Sequence, residues 1–262
     1  FILILTQTGV RRQMVTELLA IPYNLSSKSV EGLLMTVAVE YFPITPIEYP
    51  DEDGKPMAEG DIQCSYLTYA RNALRIYFQN RPDVYVAGNL FIYYEEGNPE
   101  SVVAPDTFVV FGVQNRQRRS YKTWEENKKT PDFVLEITSK ATRTKDQGAK
   151  KGIYAFLGVS EYYQYDPTGD YLTPQLQGLR LVDGNYFPIA TTTLPDGTVS
   201  LPSEVLGLEL RIKSGEMRFY DPATGKTLLT YEEEAAAREA AEEKAQRLAA
   251  KLRELNIDPD TL

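Results

Sequence analysis

The first strong pattern along the chain is helical. Between residues 61 and 80, apolar side chains recur at the intervals that place them on one helix face: Leu67, Ala70, Leu74, Tyr77 and Phe78. Asp61 is positioned to cap the start of this helix. The turn around Pro82 ends it, because proline cannot continue a helix.

Short runs of β-branched and aromatic residues follow and predict strands. They cover residues 84–87, 90–94, 105–111, 133–138 and 161–165. A second helix is predicted over residues 142–157, and Gly158 ends it. The small residues of this helix form a stripe, which we expect to bring it close to the sheet: Gly148, Gly152 and Ala155.

Beyond residue 171 the pattern changes to hairpins and then to a charged helix. Asp183-Gly184 is a hairpin signal, and residues 208–212 and 217–220 predict a second hairpin. Residues 231–255 favour a solvated helix with i,i+4 ion pairs over a coiled-coil partner with a seam at Leu248, Leu252 and Leu255. The whole pattern predicts a mixed α/β (α+β) fold, with a central mixed sheet flanked by helices, then C-terminal β-hairpins and a terminal helix.

The pattern also suggests a division of the chain. Residues 1–34 show no sustained period, so we expect residues 1–49 to be an N-terminal extension that is not native or is loosely packed. The alternative is an ordinary N-terminal segment docked on the domain. Residues 50–230 then form the main domain, and residues 231–262 form the charged helix and tail.

The composition restricts which catalytic and metal-binding groups the chain can supply. Of 262 residues none is His, which excludes Ser-His-Asp catalysis and His-ligated zinc, and the single Cys suits a reducing, cytoplasmic compartment. No apolar run approaches the ~18 residues of a membrane span. The net charge of −9 argues against passive coating of nucleic acid. Any catalysis must therefore use carboxylates, Lys, Arg, Tyr, hydroxyls or a hard metal ion held by oxygens.

Two acidic residues stand in strongly apolar surroundings. Asp106 opens the run Thr-Phe-Val-Val-Phe, and Glu136 lies inside Phe-Val-Leu-Glu-Ile-Thr. A carboxylate is costly to bury unless it is paired or binds a cation. Two such acids on neighbouring strands would suit Mg²⁺ or Mn²⁺. The alternative is a pair of sheet-edge acids satisfied by Arg, Lys or backbone groups.

A lysine is expected nearby. Glu136 and Thr138 share a strand face because side chains alternate, so a lysine at position 138 would have pointed to the same metal. Lys150 is the candidate to replace it, since Asp146, Lys150 and Tyr154 fall on one helix face. The alternative is a plain Asp146–Lys150 surface pair. Lys140, in the preceding loop, is a second candidate.

Basic residues flank the two acid strands. Residues 113–129 carry six basic residues against two acidic ones, and residues 140–151 carry five against one. Basic groups around a metal-binding acid cluster suit phosphodiester substrates, while a solvated loop and helix face is the alternative. The candidate nucleic-acid contacts are Arg116, Arg118, Arg119, Lys122, Arg143 and Lys145.

These features occur together, and in order, in a known family. A helix, strands carrying Pro105-Asp106 and Glu136-Ile137-Thr138, and then a helix and a strand resemble the core of the PD-(D/E)XK nucleases. More specifically, the chain resembles the Uma family of bacterial restriction endonucleases over about residues 50–230. The matching segments are Val103-Ala-Pro-Asp106, Pro131-Asp-Phe-Val-Leu-Glu-Ile-Thr-Ser139, the Asp146/Lys150/Tyr154 spacing, Gly158-Val-Ser-Glu-Tyr162 and Tyr165-Asp-Pro167.

The resemblance implies a restriction-endonuclease-like core and a Mg²⁺- or Mn²⁺-dependent endonuclease, with DNA as the expected substrate and a homodimer as a common assembly. It implies Asp106 and Glu136 as metal ligands, with the Ile137 backbone carbonyl as a third. Thr138 departs from the superfamily motif, and the family's relocated lysine matches Lys150. Glu59, just before the first helix, is the candidate for the superfamily's helix acid.

Two other functions stay open at this point. One is a non-catalytic nucleic-acid- or protein-binding module built on a nuclease scaffold, because fold does not fix function. The other is a Mg²⁺-dependent phosphoesterase acting on small nucleotides. The presence of Asp106, Glu136 and Lys150 together favours the endonuclease over the scaffold, which would not need all three.

Overall fold

The computed structural model describes residues 47–50, 60–138, 146–254 and 258. The first predicted helix is α1 (Asp61–Tyr77), which buries the stripe formed by Leu67, Ala70, Leu74 and the flanking Phe78. Gly60 occupies the capping position without a side-chain cap bond, so the prediction that Asp61 caps the helix is wrong. Asp61 is instead the first helical residue, where its charge still complements the helix dipole.

The strands group into three sheets. In chain order they are β1 (Val84–Ala87), β2 (Ile92–Tyr93), β3 (Val102–Val103), β4 (Thr107–Phe111), β5 (Tyr121–Lys122), β6 (Phe133–Ile137), β7 (Glu161–Tyr165), β8 (Leu176–Val182), β9 (Asn185–Pro188), β10 (Thr192–Thr193), β11 (Val199–Ser203), β12 (Leu208–Lys213), β13 (Glu216–Asp221) and β14 (Lys226–Thr227). A short 3₁₀ turn, Thr123–Glu126, follows β5.

The largest sheet is mixed, in the order β1-β4-β6-β7-β8-β9. The β6–β7 pair is parallel and the other pairs are antiparallel. A parallel pair needs a crossover connection, and here that connection includes the second helix. A second sheet runs β10-β11-β12-β13-β14, and a third runs β3-β2-β5. The predicted mixed α/β fold, with a central mixed sheet, C-terminal hairpins and a terminal helix, is confirmed.

Alternation along the central strands separates two buried layers. Phe133, Leu135 and Ile137 of β6 point to one side, into the core that includes α1. Val134, between them, points to the other side and packs in a second core with Tyr154 of the second helix. Glu136 and Thr138 share the side of Val134, which we call the acid face.

The described part of the second predicted helix, residues 146–157, is helical throughout, and residues 142–145 lie outside the described residues. A π-helical turn, Asp146–Lys150, leads into α2 (Lys151–Leu157). The prediction that Gly148 and Gly152 bring this helix close to the sheet is wrong. Both residues are exposed, and a Cβ on either would meet no atom within 4 Å. Tyr154 faces the sheet instead, because at about 100° per residue it lies on the opposite side of the helix from Gly152.

Both predicted C-terminal hairpins form. β8 and β9 are joined by Asp183 and Gly184, whose φ values of 49° and 76° are those of a tight hairpin turn. β12 pairs with β13 through a similar turn at Ser214 and Gly215.

The terminal helix α3 (Tyr231–Glu254) has no buried residue, as a solvated helix would. Thr230 and Glu233 cap it reciprocally: the Glu233 N–H donates to the Thr230 hydroxyl at 3.1 Å, and the Thr230 N–H donates to the Glu233 carboxylate at 2.8 Å. Leu248 is 54% exposed, and Leu255 lies outside the described residues. In the described part of the chain, no helix is long and apolar enough to cross a membrane.

The predicted division of the chain stays a prediction. Residues 1–46 lie outside the described part, so the expectation of a loosely packed extension over residues 1–49 falls almost wholly there.

Candidate active site

The two acids of the sequence prediction meet on the acid face. Asp106 directly precedes β4, and Glu136 lies near the end of β6. The antiparallel register pairs Thr107 with Leu135, and one step further along the same register sets Asp106 opposite Glu136. Glu136 is fully buried and Asp106 is 9% exposed, so both carboxylates are almost removed from solvent.

Asp106 is held by the backbone of the neighbouring strand. Its Oδ2 accepts a hydrogen bond from the Ile137 N–H at 2.7 Å. The end of β1 passes close behind it, and a Cβ on Gly88 would lie 2.1 Å from the Asp106 carbonyl oxygen. Only glycine permits this approach, so Gly88 fixes where the chain of Asp106 runs.

Glu136 is held from the helical side. Its Oε1 accepts a hydrogen bond from the Tyr154 hydroxyl at 2.5 Å, and its Oε2 pairs with the Lys150 ammonium at 2.8 Å. The predicted Lys150 is therefore brought to the acid pair, with its side chain 18% exposed. The predicted stacking of Lys150 and Tyr154 on one helix face is what allows both to reach one carboxylate.

Tyr154 acts as a donor in this arrangement. Burial raises the pKa of its hydroxyl well above the usual value, and the nearby Glu136 carboxylate raises it further. The hydroxyl therefore stays protonated at any physiological pH and keeps donating to Glu136. Tyr154 was part of the motif spacing, but the sequence alone did not single it out as a site residue.

Two more polar groups lie on the acid face without a partner. The Thr138 hydroxyl is buried and makes no hydrogen bond within the described residues, and the same holds for Nε2 of Gln164. The sequence analysis missed Gln164. The available signal was its place as the one amide in the aromatic strand β7, Glu-Tyr-Tyr-Gln-Tyr.

Three basic residues of the segment before β6 form ion pairs with acidic residues of the same segment. Arg118 has a side chain 2% exposed, donates to Glu126 at 2.9 Å and stacks 4.1 Å from the Tyr85 ring centroid. Arg116 also pairs with Glu126, at 2.6 Å, and Lys122 pairs with Glu125 at 3.4 Å. Arg118 thus has partners within the domain, and its contact with nucleic acid stays a prediction. Arg116, 46% exposed, keeps a surface position.

Several predicted site residues lie outside the described part of the chain: Glu59, Lys140, Arg143 and Lys145. Within residues 47–50, 60–138, 146–254 and 258, no group of three or more His, Cys, Asp or Glu side chains is arranged to hold a metal ion. The acid pair of Asp106 and Glu136 supplies two carboxylates.

Comparison with known proteins places the chain in a family. The model of the Uma2 family, described as "Putative restriction endonuclease", matches residues 47–213. The chain belongs to this family, because the match covers more than half of it. Among solved structures, it is similar to a "putative nuclease belonging to DUF820" from Anabaena variabilis, with 13% identity over 54% of this chain and 75% of that chain, at a TM-score of 0.38. No curated protein matches it significantly.

Proposed function

We propose that this member of the Uma2 family is a metal-dependent endonuclease that hydrolyses phosphodiester bonds in nucleic acid, with DNA as its substrate. One observation carries the proposal: Asp106 and Glu136 lie opposite each other on adjacent strands, and Lys150 contacts the second of them at 2.8 Å. The family's description as a restriction endonuclease supports DNA as the substrate.

The residues on the acid face fit a divalent cation. Mg²⁺ and Mn²⁺ prefer carboxylate, carbonyl, hydroxyl and water oxygens, and Asp106 and Glu136 are both buried oxygen ligands. The unpartnered Thr138 hydroxyl is a further oxygen on the same face. Two buried carboxylates side by side carry negative charge that a bound cation would offset.

The Ile137 carbonyl is directed toward the same place. The Thr138 N–H donates to the Tyr165 carbonyl of β7 at 2.7 Å. In a trans peptide the carbonyl oxygen points away from the N–H, so the Ile137 oxygen faces β4 and the Asp106 side. This direction supports its proposed role as a third metal ligand.

Asp106 and Glu136 would hold the cation, which when bound would supply Lewis-acid polarisation of the phosphate and activation of water. Lys150 stabilises the negative charge that develops on the phosphate oxygens, or orients the attacking water. Tyr154 donates a hydrogen bond to Oε1 of Glu136 and so holds the carboxylate in one orientation beside the Lys150 ammonium.

The experiment is a cleavage assay on plasmid and single-stranded DNA with Mg²⁺ or Mn²⁺, and with Glu136→Gln as the inactive variant. Lys150→Met should cost about 10²-fold or more in rate, while Lys151→Met, the adjacent lysine of the same helical segment, should not. Equal activity of these two lysine variants would remove Lys150 from the mechanism.

A metal-binding measurement separates the endonuclease from a non-catalytic scaffold. Mn²⁺ titration followed by electron paramagnetic resonance should show binding that Glu136→Gln weakens. A wild type that neither binds Mn²⁺ through its acids nor cleaves DNA would refute the proposed function. A melting curve for each variant shows whether lost activity reflects a lost fold.

A further inference from the structure

We propose that Gln164 is a substrate-contacting residue of this site, whose side-chain amide donates a hydrogen bond to an anionic oxygen of the phosphate. The inference rests on the proposed function and extends it to a residue that lies outside the nuclease motif.

The sheet register places Gln164 beside the acids. In the parallel β6–β7 pair, Gln164 is the direct partner of Glu136. Tyr163 and Tyr165, on either side of it, point into the core that includes α1. Gln164 therefore points to the acid face, together with Tyr162, which packs against Tyr154 with ring centroids 5.1 Å apart.

The amide of Gln164 lacks the partner that its burial requires. The side chain is 5% exposed, and within the described residues Nε2 makes no hydrogen bond. Buried amide groups are nearly always hydrogen-bonded, because leaving one unsatisfied is costly. The adjacent Glu136 accepts from Tyr154 and Lys150, and no hydrogen bond joins it to Nε2 of Gln164. An acceptor from a ligand would satisfy the amide.

The chemistry of the neighbouring groups favours an anion as that ligand. Thr138, two residues beyond Glu136 on the same strand face, also has a buried hydroxyl without a partner. Lys150 adds an ammonium group at the more exposed edge. An amide N–H, a hydroxyl and an ammonium are three hydrogen-bond donors, and such a set suits phosphate oxygens. Gln164 then contacts the phosphate from the β7 side while Lys150 approaches it from the helical side.

The chain offers a matched control for this position. Gln177 of β8 is the cross-strand partner of Gln164 and lies on the same face of the sheet. Its amide is already satisfied, since Nε2 donates to the carbonyls of Thr173 at 3.3 Å and Pro174 at 3.2 Å. Gln164→Met and Gln177→Met therefore remove the same amide group from adjacent strands. The first variant removes it from the proposed site, and the second removes it from a position outside the site.

The experiment measures binding of thymidine 5′-phosphate in the presence of Mg²⁺ by calorimetry, DNA cleavage, and the melting temperature. Gln164→Met should bind the nucleotide about tenfold more weakly and lose about tenfold or more in kcat/KM, as expected for one hydrogen bond to a charged acceptor. Its melting temperature should stay the same or rise, because an unsatisfied polar group is removed. Gln177→Met should bind and cleave like the wild type.

Each outcome is decisive. Nucleotide binding by Gln164→Met that equals wild-type binding overturns the assignment, as does a wild type that does not bind the nucleotide. A wild type that binds it through Gln164 but cleaves no DNA refutes the nuclease proposal alone. If Gln164→Met melts early, Gln164→Leu, which also has no donor, is measured at a temperature below its own melting transition, and undiminished binding by it would also overturn the assignment.

Discussion

Asp106 and Asp132 provide an internal comparison that separates a catalytic acid from a structural one. Asp106 accepts a hydrogen bond from the Ile137 N–H at 2.7 Å, and Asp132 accepts one from the Phe111 N–H at 2.8 Å. The two acids thus tie opposite ends of the same antiparallel β4–β6 pair. Only Asp106 lies opposite Glu136. Replacing each with Asn removes a negative charge and retains an oxygen that can accept the backbone bond.

The expected effects on stability are small and similar. A hydrogen bond to a charged acceptor contributes more than one to a neutral acceptor, so each Asn variant should lose no more than about 1 kcal/mol from this source. For Asp132, burial raises the pKa of the carboxyl above its ordinary value, although the Phe111 N–H opposes this. Its charge therefore lowers the free energy of unfolding at neutral pH, and Asp132→Asn should be close to neutral or stabilising there.

The expected effects on activity differ greatly. Asp106→Asn removes one of two carboxylates that would hold the cation, and the cost should be about 10²-fold or more in cleavage rate with a raised Mg²⁺ requirement. Asp132→Asn should cleave like the wild type. The assay is plasmid nicking across a Mg²⁺ titration, with urea unfolding of each variant. Full activity of Asp106→Asn, or equal loss in both variants, would refute the assignment of Asp106 as a metal ligand.

Three further predictions test the supports of the site. Tyr154→Phe should lower the free energy of unfolding by about 1–3 kcal/mol in a urea titration, because the buried Glu136 loses a donor, and a variant as stable as the wild type would contradict the hydrogen bond. Gly88→Ala should displace Asp106 and weaken Mn²⁺ binding. Gly152→Ala adds a methyl group that faces open space on a helix, and it should stabilise the protein by about 0.5–1 kcal/mol. A higher melting temperature for Gly88→Ala than for Gly152→Ala would contradict the close packing at Gly88. The Arg118 hydrogen bond holds the pKa of Glu126 below its ordinary value, so Glu126→Gln should cost about 2 kcal/mol at neutral pH. A lowered pKa contributes its full stability above the unfolded value of about 4.3 and loses it as the pH falls through the folded pKa. This cost should therefore shrink over that range, and a cost independent of pH would be evidence against the ion pair.

Local pattern was sufficient to predict the elements that carry the site. The periods of two for strands and near 3.6 for helices can be recognised from neighbouring residues alone, so the runs that follow Asp106 and surround Glu136 could each be assigned to a strand. The helical spacing of Lys150 and Tyr154 likewise predicted that they share a face. These inferences need only the geometry of one element at a time.

What local pattern could not predict is how elements rotate and register against each other. The stripe of Gly148 and Gly152 has the composition of a packing face, yet it points to open space because Tyr154 fills the contact with the sheet. Arg118 reads as a surface charge, but Glu126 and the Tyr85 ring bury it. Gln164 can be recognised as a candidate site residue only from the β6–β7 register, which places it beside Glu136.

The crossover that brings Lys150 and Tyr154 to Glu136 makes the support of this carboxylate depend on one short helical segment. In the common superfamily motif the lysine follows the acid on the same strand, whereas here both donors arrive on residues 146–157. If this helical segment moved away from the sheet, Glu136 would lose the Lys150 ammonium and the Tyr154 hydroxyl together. Packing of one short helix on the sheet and assembly of the proposed reactive groups are therefore coupled.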